Sequence, residues 1–113
     1  MHELSIALNL VELAEEEARK AGCSKVYSVE VALGLLSGVD PDALAFSINL
    51  AKESTMLCDA AINLHTVEGN GRCRMCDHVF PVSTVYSICP ECNSNAVEIV
   101  TGDELKLLSL QAE

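Results

Sequence analysis

Two pairs of cysteines carry the clearest chemistry in this sequence. Cys73-Arg74-Met75-Cys76 and Cys89-Pro90-Glu91-Cys92 are both Cys-x-x-Cys knuckles, with only residues 77–88 between them. Each knuckle presents two thiolates from one tight backbone loop, and two knuckles together make a tetrahedral four-sulfur site. That donor set favours zinc, with rubredoxin-like iron as the rival occupant. Four protein thiolates leave no open coordination position, so the expected role is structural rather than catalytic. The surrounding segment is poor in apolar residues, and metal binding is expected to supply its folding free energy. A thioredoxin-type redox role is disfavoured, because neither knuckle lies between a strand and a helix.

Cys23 and Cys58 are left over, and they read as small buried hydrophobes. His78, just after the first knuckle, reads as an exposed loop residue rather than a fifth ligand. His65 falls in a predicted strand, opposite Ile62 and Leu64, and reads as structural or partly exposed.

His2 offers a second kind of metal chemistry. A bulky second residue normally leaves the initiator methionine in place, so a free amine on Met1 is expected. That amine, the backbone nitrogen of His2 and its imidazole can close adjacent chelate rings around one ion. Planar nitrogen donors favour Ni(II) or Cu(II) over zinc. Binding there requires deprotonation, so it should weaken as pH falls. A cation at this place opposes the positive end of a helix dipole, which deprotonated amides and the carboxylate of Glu3 would offset. The plain alternative is an ordinary polar start to a helix.

These residues need elements to position them. Residues 4–21 read as an amphipathic helix, with Leu4, Leu8, Val11 and Ala18 on one stripe widened by Ala7, Leu10 and Ala14. Gly22 is the predicted stop. The glutamates Glu12, Glu15, Glu16 and Glu17 fill its solvated face. Residues 25–36 read as a long strand, with Tyr27, Val29, Val31, Leu33 and Leu35 alternating onto one face. Asp40-Pro41 reads as an N-cap and first helical position. The helix it opens runs to about Lys52 and buries Leu44, Ile48 and Ala51. A second strand covers 60–67. Residues 68–71 then read as a flexible exit into the cysteine segment, which holds short β-like runs at 79–82 and 97–100. Residues 101–103 are a second linker, and 104–110 a last strand. A lone terminal strand needs a sheet to join, so the expected organisation is an α/β domain of residues 1–68 plus 101–113, interrupted by a metal-binding insert at 69–100.

Composition narrows the function classes. At 113 residues the chain is one small domain with a knob; half of its residues are hydrophobic and 4% are aromatic, so its core must be aliphatic. A net charge of -10 disfavours nucleic acid and anionic membranes. Within 69–98 the cations are Arg72 and Arg74, against Asp77, Glu91 and Glu98, a poor surface for phosphate. No apolar run approaches the roughly 20 residues of a bilayer span. The start lacks a signal-peptide pattern, so a cytoplasmic setting with reduced thiols is expected. An enzyme is not expected: no nucleophile–base pair, phosphate loop or open metal triad is legible.

Four motifs occur in order: Met1-His2-Glu3-Leu4-Ser5, Leu33-Gly34-Leu35-Leu36-Ser37-Gly38-Val39, the paired knuckles, and Thr101-Gly102-Asp103-Glu104-Leu105. In that order, and over essentially the whole chain, the sequence resembles the HypA/HybF family of nickel metallochaperones in [NiFe]-hydrogenase maturation. The resemblance implies an α/β (α+β) fold, two helices on a three-stranded sheet with an inserted zinc-ribbon-like domain. It implies nickel held at Met1, His2 and Glu3, and zinc at Cys73, Cys76, Cys89 and Cys92. It also associates Asp40 with the nickel site, beside that residue's reading as an N-cap. Nickel would be transient cargo and zinc a structural cofactor. The implied partners are the HypB-type GTPase and the hydrogenase large subunit, and some relatives also serve urease; a homodimer is left open. Ser54-Thr55, where a Gly-Thr pair is common, and Cys58 depart from the family pattern. The other readings are a zinc-ribbon module that binds protein or nucleic acid, and a rubredoxin-like electron carrier.

Overall fold

A computed structural model describes residues 2–84 and 86–113, with His2 described through its backbone alone. The order is α1 (His2–Lys20), β1 (Val26–Gly34), α2 (Pro41–Ala51), β2 (Ala61–Val67), β3 (Asn70–Cys73), β4 (Val79–Pro81), β5 (Val97–Thr101) and β6 (Leu105–Ala112). The strands form two three-stranded sheets, ordered β2-β1-β6 and β4-β3-β5. The expected fold class is the one found. The contacts divide the chain into two compact units, Met1–Ala32 with Val39–His65 and Lys106–Glu113, and Leu33–Gly38 with Thr66–Leu105.

In the first unit, α1 and α2 pack against one another. The buried stripe of α1 is Ala7, Leu10, Val11, Ala14 and Ala18. Leu4 and Leu8, expected on that stripe, are largely exposed. The small residues Ala7, Ala14 and Ala18 let the helix sit close to its neighbours, and this turns the stripe away from the two leucines. Gly22 ends the helix at φ +75°. Cys23 N donates to Ala18 O and Gly22 N to Arg19 O, a Schellman closure of the last turn. Asp40 caps α2 by accepting from Asp42 N (3.2 Å), with Pro41 as the first helical residue. Leu44, Ile48 and Leu57 are fully buried beside Val26 and Val31. Each such side chain stabilises the fold by about 1.5–3 kcal/mol.

Strand β1 is central. Its first turn pairs with the end of β6, since Lys25 and Glu113 exchange N–H···O bonds of 3.0 and 2.9 Å. At its other end Gly34 N donates to Glu104 O (2.7 Å), so β6 runs antiparallel to it. Val29, Val31 and Leu33 are buried as expected, whereas Tyr27 and Leu35 are exposed. Tyr27 is the second residue of the strand and Leu35 lies just past its end. On β2, Asn63 and His65 meet β1 at Glu30: Asn63 Nδ2 donates to Glu30 Oε2 (2.7 Å), and His65 Nε2 lies 2.7 Å from Oε1. Cys58 is exposed and Cys23 half-buried, contrary to their reading as buried hydrophobes. Both lie in turns, one after each helix, where the chain is at the surface.

In the second unit, the latter half of the expected flexible exit at 68–71 is instead the start of a strand. Asn70, Gly71 and Arg72 pair with Pro81, Phe80 and Val79 of β4, and Gly71–Cys73 also pair with Ile99, Glu98 and Val97 of β5. Gly71 is needed there because a Cβ would lie 2.7 Å from Val97 Cγ1. Three further glycines touch in series. A Cβ on Gly34 would lie 2.0 Å from Gly102 O, one on Gly102 2.5 Å from Gly69 Cα, and one on Gly69 2.5 Å from Val82 O. Gly102 has φ +106°. Leu36 N donates to Gly102 O (2.6 Å), and Gly102 N donates to Glu104 Oε1 (2.5 Å). The Leu33–Val39 and Thr101–Leu105 motifs therefore interlock through main chain.

Two outcomes are expected. Gly34→Ala and Gly102→Ala should each cost at least ~2 kcal/mol in urea unfolding, through overpacking against backbone and, at Gly102, backbone strain. Gly38→Ala has open space and only its φ of +79° to strain, so its cost should stay near 1 kcal/mol. Equal losses at all three sites would refute the close-approach account. The hydrogen bond from Asn63, then that with His65, holds the Glu30 carboxyl below its ordinary range. A lowered folded pKa gives stability that is full above the unfolded value of about 4.3 and is lost as pH falls through the folded one. Glu30→Gln should therefore flatten the dependence of urea midpoint on pH below about pH 4.5. Parallel wild-type and variant curves would contradict it.

Candidate metal centre

The strand β3 ends at Cys73, and the turn after it carries Cys76; the second knuckle precedes β5. The two turns are built alike. Cys73 N donates to His78 O and accepts at its own carbonyl from Asp77 N; Cys89 N donates to Ser94 O and accepts likewise from Asn93 N. All four bonds are 2.8–2.9 Å. The fifth residue of each turn has positive φ, Asp77 at +63° and Asn93 at +61°. Aspartate and asparagine are among the few side chains that tolerate this region. They are functional residues that the knuckle spacing alone does not identify, although an Asp or Asn directly after each second cysteine was a usable signal.

The four Sγ atoms lie within 4.8 Å of one another, and they form the one cluster of three or more His, Cys, Asp or Glu ligand atoms among the described residues. Cys73 Sγ is 3.5 Å from Cys92 Sγ, and Cys76 Sγ is 3.6 Å from Cys89 Sγ. Sulfurs around a tetrahedral zinc stand about 3.8 Å apart, so the donor set fits such an ion. Behind the sulfurs, Cys73 and Cys89 pack with Phe80 and Val82, and Leu36, Val97 and Ile99 cover that cluster. The His78 ring stacks on Phe80 at 5.8 Å, and its Nε2 stands 3.9 Å from Glu91 Oε1. It is half-buried rather than an exposed loop side chain. Arg72 pairs with Glu98, which also meets Arg74 Nε at 3.6 Å, so both cations of the segment are engaged.

The free thiols are electrostatically unequal. Burial works against the Cys73 thiolate, but the amides of Cys76 and Met75 and the Cys92 and Cys76 thiols outweigh it and bring it down to about 7. At Cys76 the His78 amide favours the thiolate, yet desolvation and the Cys89, Cys73 and Cys92 thiols push it up to about 12. Cys92 is also raised: the Ser94 amide acts in the opposite sense and is outweighed by the Cys73 thiol and desolvation. The Cys76 and Cys92 thiols hold their protons more firmly than an ordinary thiol, so an incoming cation must displace them.

The N-terminal expectation meets a different situation. Met1 and the side chain of His2 lie outside the described residues, while Glu3 is in the first turn of α1. The first amides of a helix have no intrahelical acceptor and remain available to other chemistry. Asp40 caps α2, as described above.

The fold and the sulfur cluster define a small protein of two compact units, one of which carries a four-thiol cluster suited to a metal ion. A family model described as "Hydrogenase/urease nickel incorporation, metallochaperone, hypA" matches residues 1–112, and the chain belongs to this family. It is 43% identical over 110 residues to the hydrogenase maturation factor HypA of Parabacteroides distasonis, covering 97% of this chain and 96% of that one. The HypA of Roseiflexus sp. is 45% identical over 114 residues, covering 100% and 93%. Among solved structures, that of the Ni metallochaperone HypA from Helicobacter pylori aligns at TM-score 0.73 and 31% identity, over 97% of this chain and 96% of that chain. No helix among the described residues is long and apolar enough to cross a membrane.

Backbone conformation should set metal retention here. Asp77→Gly and Asn93→Gly should keep one metal per chain. Asp77→Val and Asn93→Val should weaken retention against a chelator, at a cost of ~1–3 kcal/mol each. Indistinguishable Gly and Val variants in a competition titration would rule out the left-handed turns as determinants.

Proposed function

We propose that this chain is a nickel carrier for [NiFe]-hydrogenase maturation, with zinc held by Cys73, Cys76, Cys89 and Cys92 as a structural cofactor. The single observation that supports it most is family membership across residues 1–112, with a four-thiolate cluster inside that span. The relatives named above are a hydrogenase maturation factor and a Ni metallochaperone. The family description also names urease, a second client class for this chain. The carrier performs no bond chemistry: its work is selective capture and release.

In this reading the Met1 amine, His2 and Glu3 hold Ni(II) through nitrogen donors, a set that suits nickel and copper better than zinc. Asp40 contributes a carboxylate only if it leaves the α2 cap. The division of labour follows the course of the chain: residues 1–68 with 101–113 carry nickel, and 69–100 carry the zinc site. This is supported by the return of β6 to pair beside β1 after the cysteine segment. The partners are a HypB-type GTPase and the hydrogenase large subunit in the cytoplasm.

His2→Ala, and separately acetylation of the Met1 amine, should each weaken nickel binding by about tenfold or more. Both should leave one zinc per chain by elemental analysis. Nickel uptake that survives both changes would overturn the N-terminal site. Iron in place of zinc, visible from its charge-transfer colour, would favour the electron-carrier reading.

A further inference from the structure

The two knuckles match in hydrogen bonding, yet each divides sharply in burial. Cys73 and Cys89, the first of each pair, are 0% exposed, whereas Cys76 and Cys92 are exposed. The inner two are fixed on every side. Their N–H and C=O groups are tied to His78 and Asp77, and to Ser94 and Asn93, and their side chains sit in the Phe80–Val82 cluster. The outer two stand at the solvent edge, each directly before a left-handed residue. Close to them in sequence, Met75 and Ile88 are also exposed. Each inner sulfur faces the outer sulfur of the opposite knuckle. Each of these two short sulfur–sulfur contacts thus joins one anchored donor to one solvent-edge donor.

Resting on the zinc reading above, we infer that Cys73 and Cys89 anchor the ion while Cys76 and Cys92 form an exchange edge open to an external small thiol. Releasing an outer thiolate exposes it to water, which solvates it. Releasing an inner one would strand a polar sulfur among apolar side chains or open the cluster, a larger and more cooperative event. The exchange is a proton-balanced substitution. The incoming thiol loses its S–H proton, the departing Cys76 or Cys92 thiolate gains it, and no electrons are transferred. The four-thiolate site is thereby saturated in ligand number but not closed to ligand replacement, and it can exchange metal without unfolding β3–β5.

The test uses the full chain loaded with zinc. Pulsed alkylation with N-ethylmaleimide, mapped by mass spectrometry, should modify Cys76 and Cys92 ~10-fold or more ahead of Cys73 and Cys89, with exposed Cys58 as an internal reference. Transfer of zinc to a chromophoric chelator should accelerate in proportion to added glutathione. Cys76→Ser and Cys92→Ser should keep the fold and release zinc faster, whereas Cys73→Ser and Cys89→Ser should lose zinc and the amide protection of β3. Uniform or inner-first alkylation, or transfer indifferent to glutathione, would overturn the exchange edge while leaving the zinc site intact. A chain that binds no zinc at all would instead remove the zinc reading itself.

Discussion

Three glycines in contact set the frame of the cysteine-bearing unit. Gly34 ends β1, Gly102 turns the chain into β6, and Gly69 leads into β3; at each, a methyl group would overlap backbone within 2.0–2.5 Å. Main chain can therefore approach main chain, and Leu36 N reaches Gly102 O while Gly34 N reaches Glu104 O. The end of β1 and the turn from β5 into β6 are thus fixed to each other through backbone hydrogen bonds. Side-chain packing tolerates exchange of one aliphatic residue for another, but a backbone contact of this kind tolerates no side chain at all.

From that frame the sulfur site follows with few further requirements. Gly71 admits Val97 and lets β3 pair on both sides, which carries Cys73 into the apolar cluster. The knuckle turns then need only their two left-handed residues and their paired amide bonds. Those amides also shape the electrostatics, since hydrogen bonds from Cys76 and Met75 stabilise the Cys73 thiolate despite its burial.

The relation between carrier and scaffold is a matter of ligand chemistry. Thiolates are soft donors in a tetrahedral arrangement and hold zinc tightly; backbone and imidazole nitrogens in a plane suit nickel. In the proposed carrier, the nitrogen set at the chain start and the thiolate set at Cys73–Cys92 would each select its ion by ligand chemistry. The amide N–H groups at the start of α1 are those that a helix leaves without an intrahelical acceptor, so the proposed nickel site would disrupt no helical hydrogen bond.

The sequence by itself determined the cysteine site, the caps and most element types, because these depend on local spacing and on single-residue backbone preferences. Cys-x-x-Cys repeats, Asp40-Pro41 and Gly22 each specify their geometry within a few residues. It also placed β1, α2 and β2 nearly to their observed ends. Only the tertiary structure decided which face of α1 is buried, since Leu4 and Leu8 lose their place to alanines that fit closer to the neighbouring elements. It alone made residues 70–73 a strand, because a Gly-rich run becomes extended only when partners on both sides take up its amides. The exposure of Cys23 and Cys58 was likewise decided by tertiary structure: a thiol's burial depends on what packs over its turn, and nothing in the neighbouring residues encodes that.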